Sequence, residues 1–228
     1  MNFATLNRRI TVCRLCPRLV AWREEVARTK RRAYLDWDYW GKPVPGFGDP
    51  RAKILVVGLA PGAHGSNRTG RQFTGDASGR FLYPALHRAG FASQPEATSR
   101  GDGLQLRGIY LTASCKCVPP DNKPTPSEIV NCRPYLLTEI DLLNPRVIVC
   151  LGRLAFDGII RIHDLRGSEF PFRHGAKYRV PLPSGAGHRW LLCSFHPSQQ
   201  NTLTGRLTPA MFGRIWRSAR RLAGHAES

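Results

Sequence analysis

The residues of this 228-residue sequence with chemistry to offer fall into two sets. The first set is dispersed. The glycine-rich stretch from Val57 to Asp76 ends in an aromatic ring, Phe73, and a carboxylate, Asp76. Asn122 stands in a proline-rich segment, and His196 opens the run His196-Pro197-Ser198-Gln199-Gln200-Asn201-Thr202. Gly58, Gly62, Gly65, Gly70 and Gly75 allow the backbone to come close to a ligand and to turn N–H groups towards its oxygens. The stretch has no G-x-x-x-x-G-K-[ST] pattern, so it lacks the lysine that holds a triphosphate, and its spacing also fails G-x-G-x-x-G. The second set is thiols. Cys13 and Cys16 form a C-x-x-C pair, Cys117 precedes Val118-Pro119-Pro120, and Cys132 follows 15 positions later. Four thiolates suit either zinc or a [4Fe–4S] cluster. The wide split of the second pair leans towards iron–sulfur, and Cys115 is an alternative to Cys117. Cys150 and Cys193 lie in apolar runs and read as buried small hydrophobes.

Elements to position these residues are legible. Ile54-Leu55-Val56-Val57, Gly108–Ala113, Arg146–Leu151 and Arg189–Phe195 are short apolar runs that read as buried strands. Helical spacing follows each of them, from Ser78, over Pro126–Leu143, over Gly152–Ile162 and over Pro209–Leu222; a further helix over residues 18–33 carries the Cys13–Cys16 pair at its start. Strands alternating with helices predict a three-layer α/β/α sandwich around a central four-stranded, mostly parallel sheet. The segment 39–50 reads as a connector and 165–188 as mixed loop and short strand. Length predicts one domain over residues 1–228, a Cys-bearing helical segment 1–50 packed on an α/β core 51–223. In an open α/β sheet the loops after the strands converge at one edge, which predicts that Phe73, Asp76, Asn122 and His196 share one crevice. Asp76 also fits a helix N-cap or a loop carboxylate held by Arg71 or Arg80, and Phe73 also fits core packing.

Charge narrows the partner. Lys and Arg total 34 against 16 acidic residues, a formal +18. The excess favours a polyanion, nucleic acid before membrane surface. Arg68 and Arg71 in the first loop, His64 beside them, and Gln199, Gln200 and Asn201 behind His196 are the candidate DNA contacts. No stretch has the apolar length of a membrane span and no signal-peptide core is present, so a cytoplasmic protein is expected. An odd number of cysteines argues against a disulfide framework. A monomer is expected because no dimer seam is visible.

The stretch Gly58–Asp76, the run His196–Thr202, the cysteine pattern and Pro43-Val44-Pro45-Gly46-Phe47-Gly48-Asp49-Pro50 together resemble the family 5 uracil-DNA glycosylases, the bacterial and archaeal type b. The resemblance spans about Cys13 to Trp216. It implies the uracil-glycosylase fold, a [4Fe–4S] cluster, and monofunctional removal of deaminated bases from double-stranded DNA, with single-stranded DNA a further candidate. The implied range includes uracil, hypoxanthine, and mispaired thymine or modified pyrimidines. By matching motif positions it implies Cys13, Cys16, Cys117 and Cys132 as cluster ligands. It implies Phe73 stacking on the extruded base with Gly58 and Ala60 beside it, and His196 donating to a base carbonyl. Asp76 then acts on water, with Asn122 its partner and a further base contact. Leu59, Ala60 and Ala63 stand where related families place a water-activating acid or amide, and Ala113 stands where family 4 has a uracil-reading Asn; the second difference fits a broader substrate range. The competing class is a metal-stabilised nucleic-acid-binding module without catalysis. A relative that traps the sugar covalently through a histidine in an Arg-rich insert ranks low, because no such insert follows the first motif.

Overall fold

The computed structural model describes residues 1–182 and 187–224. The four apolar runs form β2 (Ile54–Gly58), β3 (Ile109–Ala113), β4 (Val147–Leu151) and β6 (His188–Ser194), which pair in parallel in the order β3-β2-β4-β6. All five residues of β2, of β3 and of β4 are buried, the pattern of parallel strands covered on both faces. Two antiparallel edge strands widen the expected four-stranded sheet to six: β1 (Phe47–Gly48) beside β3 and β5 (Lys177–Pro181) beside β6. Phe47–Gly48 has no strand signature because a two-residue edge pairs through backbone alone, inside a Pro/Gly-rich segment.

Side chains alternate across the sheet, so Ile54 and Val56 enter one core while Leu55 and Val57 enter the other. The first core lies under α4 (Ala77–Arg88) and α8 (Pro209–Leu222), with Leu82, Leu86, Phe212 and Trp216 buried there. The second lies under α5 (Pro126–Leu143) and α6 (Arg153–Ile162), and Phe3 of α1 (Phe3–Thr11) packs on it. The result is the expected α/β/α layering. Helix α2 runs Pro17–Thr29, and two short helices fall in stretches that read as loop: α3 (Ser66–Thr69) and α7 (Gln199–Leu203).

The N-terminal segment is tied by hydrogen bonds to the loops at the carboxyl ends of the parallel strands. Trp40 and Gly41 N–H groups donate to the carbonyls of Arg68 and Asn67 at 2.9 and 3.1 Å. Val44 N–H donates to Lys116 O at 2.7 Å, and the Gln72 side-chain amide donates to Val44 O at 3.0 Å. The segment beside Phe73 is thereby linked in two hydrogen bonds to the loop that carries Cys115 and Cys117.

Candidate active site

A cavity of about 480 Å³ opens where β2, β3 and β6 end. Phe73, Asp76, Asn122 and His196 all line it, together with Ala60, His64 and Gln199. Phe73 and His196, 123 positions apart in sequence, are thus brought together, as the convergence of loops at the carboxyl ends of parallel strands requires.

The glycines of the first loop serve individual contacts. A side-chain carbon on Gly58 would sit 2.8 Å from Phe73 Cζ, so the bare strand end is what lets the ring lie against it. Gly58 therefore lies beneath the ring and does not line the cavity. Phe73 itself has φ +52, in a turn where Gly70 (+71) and Gly75 (+79) also take left-handed backbone. A bulky residue at positive φ is costly, and such strain persists only where the surroundings hold it. A carbon on Gly79 would lie 1.9 Å from Phe73 O, so the first turn of α4 also depends on glycine.

Asp76 is the N-cap of α4, its Oδ1 accepting from Gly79 N–H at 2.9 Å. Its other oxygen packs against Gly62 and Gly65, where added side-chain carbons would fall 3.0 and 2.2 Å away. Burial raises the Asp76 carboxyl above its ordinary range, opposed by backbone N–H donors of the helix start and by Arg80 and Arg68.

His196 follows β6 directly. Its carbonyl accepts from the Asn201 side-chain amide at 2.8 Å, which fixes the turn after the strand. The imidazole lies 6.2 Å from the Phe73 ring, centroid to centroid, at 34°. Among the described residues neither of its ring nitrogens has a hydrogen-bond partner. Burial pulls its pKa down to about 4. The ring is therefore neutral at pH 7 and carries one N–H donor. Asn122 sits exposed on the cavity rim with φ +57, after Asp121 at +53, and no hydrogen bond joins it to Asp76 among the described residues.

Of the candidate DNA contacts, Gln199 lines the cavity and Gln200 is exposed on α7 outside it. His64 lines the cavity, with Nδ1 3.1 Å from the Tyr39 hydroxyl, and burial pulls its pKa down. Of the others, Arg68 and Arg71 are not surface residues and Asn201 is half-buried. Arg68 is buried, its guanidinium 4.0 and 3.9 Å from the Tyr34 and Trp37 ring centroids, and it donates to His64 O and Gly75 O at 2.7 and 2.9 Å. Arg71 is buried in a two-pronged ion pair with Asp102. The Asn201 amide is engaged with His196. Arg68 and Arg71 are buried and hold the site together, while Asn201 is half-buried with its amide fixing the turn after β6. Arg31, Tyr34 and Arg80 are lining residues that motif reading did not select as site residues. Arg31 carried a faint signal as part of Lys30-Arg31-Arg32.

The thiols gather on the other side of the first loop. Cys13, Cys16, Cys117 and Cys132 line one hollow of about 10 Å³, which Cys115 does not. Arg18 joins Glu128 at 2.7 and 2.8 Å, pinning the start of α2 to the start of α5 and so Cys16 near Cys132. N–H donors face the sulfurs: Arg23 to Cys117 at 3.0 Å, Asn131 to Cys16 at 3.4 Å and Lys116 backbone to Cys132 at 3.4 Å. That donor chemistry suits thiolates. A single ion needs its sulfurs at about 2.3 Å, and among the described residues no three Cys, His, Asp or Glu side chains are placed to bind one.

An α/β sheet with a crevice at its strand ends lined by Phe73, Asp76 and His196, and a thiol cluster behind the crevice loop, defines the class. Residues 45–220 match the family model "Uracil DNA glycosylase superfamily". The chain is 59% identical over 216 residues to the type-5 uracil-DNA glycosylase of Thermus thermophilus, covering 94% of this chain and 95% of that one. It is 52% identical over 226 residues to the type-5 enzyme of Mycobacterium bovis, covering 98% and 82%. The type-4 enzyme of Archaeoglobus fulgidus is more distant, 33% identical over 161 residues, 68% and 70% of the two chains. The chain belongs to the uracil-DNA glycosylase superfamily, in its type-5 branch. No helix among the described residues is long and apolar enough to cross a membrane.

Proposed function

We propose that this chain is a monofunctional glycosylase of base-excision repair, cleaving uracil from double-stranded DNA and leaving an abasic site. The observation that carries this reading is the cavity of about 480 Å³ in which an aromatic ring, a carboxylate, an amide and a neutral imidazole meet. A lesion base must leave the stack to react, and a damaged or mispaired base costs least to extrude. Phe73 then stacks on the base. The C1′–N bond breaks with its electron pair going to the base, water adds its oxygen at C1′, and the proton that water gives up ends on the departed base. The N–H of neutral His196 meets the base oxygen on which negative charge builds, as an oxyanion donor does. Ionised Asp76 orients the water and offsets positive charge on the sugar, with Asn122 assisting from the rim. Arg31 and Arg80 are suited to neighbouring phosphates.

Deaminated bases beyond uracil, hypoxanthine among them, fit the absence of an amide at Ala113. Mispaired thymine and modified pyrimidines are further candidates, single-stranded DNA a second substrate form, and a cytoplasmic monomer the working state. Cys13, Cys16, Cys117 and Cys132 are the residues to hold a [4Fe–4S] cluster. Such a cluster, when bound, supplies a structural cross-link between segments, and the chain from Lys116 through Val44 to Gln72 carries that order to Phe73.

Single-turnover cleavage of labelled duplexes bearing uracil or hypoxanthine tests the reading. Strand breaks that appear only after alkali are expected. Tight, salt-sensitive DNA binding with no product from any lesion would overturn it in favour of a non-catalytic binding module.

A further inference from the structure

Asp102 lies outside both motifs, in the connection between α4 and β3, yet its carboxylate accepts five hydrogen bonds. Oδ1 takes Arg71 Nη1 at 2.8 Å and Leu104 N–H at 3.0 Å. Oδ2 takes Arg71 Nη2 at 2.6 Å, with Thr98 and Ser99 N–H at 2.8 and 3.2 Å. The two side chains are only 4% and 9% exposed. Burial works against the charge, but Arg71 and the backbone donors hold Asp102 well below the usual carboxylate range, so the pair stays ionised at neutral pH.

The guanidinium carries this order onward. Arg71 Nε donates to Thr74 Oγ1 at 2.9 Å, and the Thr74 hydroxyl donates to Gln72 O at 3.1 Å. Gly75 N–H donates to Ala97 O at 3.1 Å, so segment 97–104 straps the same turn a second time. Between these ties lie the left-handed Phe73 and Gly75, and Asp76 follows. Neither Arg71 nor Asp102 lines the cavity. A buried ion pair is a weak source of net stability, which directs attention to what its geometry specifies.

We propose that Asp102 is a positioning residue for base excision: through Arg71 it holds the Phe73–Asp76 turn in the strained form that presents ring and carboxylate to one substrate. This rests on the glycosylase reading above, so uracil-duplex cleavage by the unsubstituted chain is the first control. Absence of cleavage there overturns that reading, and this one with it.

The test is Asp102→Asn, alone and combined with Asp76→Asn, read by single-turnover rate at saturating enzyme, by duplex affinity and by Tm. A shift of about 1 Å at the reacting groups costs about 10²-fold in rate, and that loss is expected with duplex affinity unchanged. In the Asp76→Asn background the further loss shrinks, because the group being positioned no longer acts. Equal loss in both backgrounds, or a lowered Tm with the original rate, overturns the proposal. Should Asp102→Asn fail to fold, Arg71→Lys carries the test. It keeps the charge but removes the two-pronged fork and the Nε donor to Thr74. A slowed step at retained Tm is expected, and an unchanged rate overturns the assignment.

Discussion

Gly65→Ala adds one methyl group, and its consequence is calculable. The new carbon would stand 2.2 Å from Asp76 Oδ2 and 2.7 Å from both Asp76 Cβ and Cγ, where ordinary contact begins at 3.4 Å. Rotation of the carboxylate cannot relieve a clash that includes Cβ, so the side chain must retreat by about 1 Å. Displacement of that size at a reacting group costs about 10²-fold in rate, equivalent to about 2.7 kcal/mol of barrier. Asp76 also caps α4, and a lost cap costs about 1 kcal/mol of stability, so the rate falls further than the fold weakens. Single-turnover cleavage of a uracil duplex reads the rate and thermal unfolding reads the fold. The comparison that isolates the cause is the same substitution made in Asp76→Ala, where the methyl still meets Cβ but has no carboxylate to displace, so its cost in rate is far smaller. Gly62→Ala, whose carbon would touch only Oδ2 at 3.0 Å, gives a milder loss. A wild-type rate in Gly65→Ala, or an undiminished penalty in the Asp76→Ala background, refutes the reasoning.

Three further outcomes are expected. His196→Ala removes the N–H proposed to meet the base oxygen and slows single-turnover excision by about 10²–10³-fold, while anisotropy titration shows duplex affinity retained; equal activity removes His196 from the chemistry. The rate rises with pH as Asp76 ionises, and its acid limb lies above the ordinary carboxylate range because burial raises that group. Burial holds the His196 pKa down at about 4, and a pH–rate profile of Asp76→Asn with the limb still present contradicts the assignment to Asp76. Cys117→Ala lowers bound iron and Tm together, whereas Cys115→Ala retains iron; the reverse pattern, read by iron analysis and visible absorbance, exchanges the two ligands.

Legibility in the sequence followed the physics of each element. The four parallel strands are continuous apolar runs because both faces are covered, and such runs stand out. The edge strand Phe47–Gly48 is defined by backbone pairing with Tyr110 and Leu111, which composition does not record. Helix α1 did carry a signal that went unread: an Asn2 cap and buried Leu6 and Ile10 four residues apart. The polar run Gln199–Leu203 hid its helix, although Ser198 caps it by accepting from Asn201 N–H.

The site residues divide on the same grounds. Convergence of Phe73, Asp76, Asn122 and His196 followed from topology alone, since loops after parallel strands meet at one edge. Arg68 and Arg71 have the fork that matches phosphate, and nothing nearby in sequence distinguishes them from true contacts. Their burial depends on Tyr34 and Trp37 some thirty positions upstream and on Asp102, 31 positions downstream. A basic residue beside a glycine-rich loop therefore identifies neither partner by its type; the nearest carboxylate or aromatic ring in space decides between them.

Asp76 shows how two readings of one residue become compatible. As a sequence feature it stood either as a helix cap or as a site carboxylate. A carboxylate has two oxygens, and here one accepts from Gly79 while the other packs against Gly62 and Gly65 at the cavity. Capping removes rotational freedom from the side chain before any substrate arrives, and the absent side chains of Gly62 and Gly65 leave room for the second oxygen. The cap thus orients the carboxylate at the cavity, which is why a methyl on the neighbouring Gly65 disturbs both the helix start and the second oxygen.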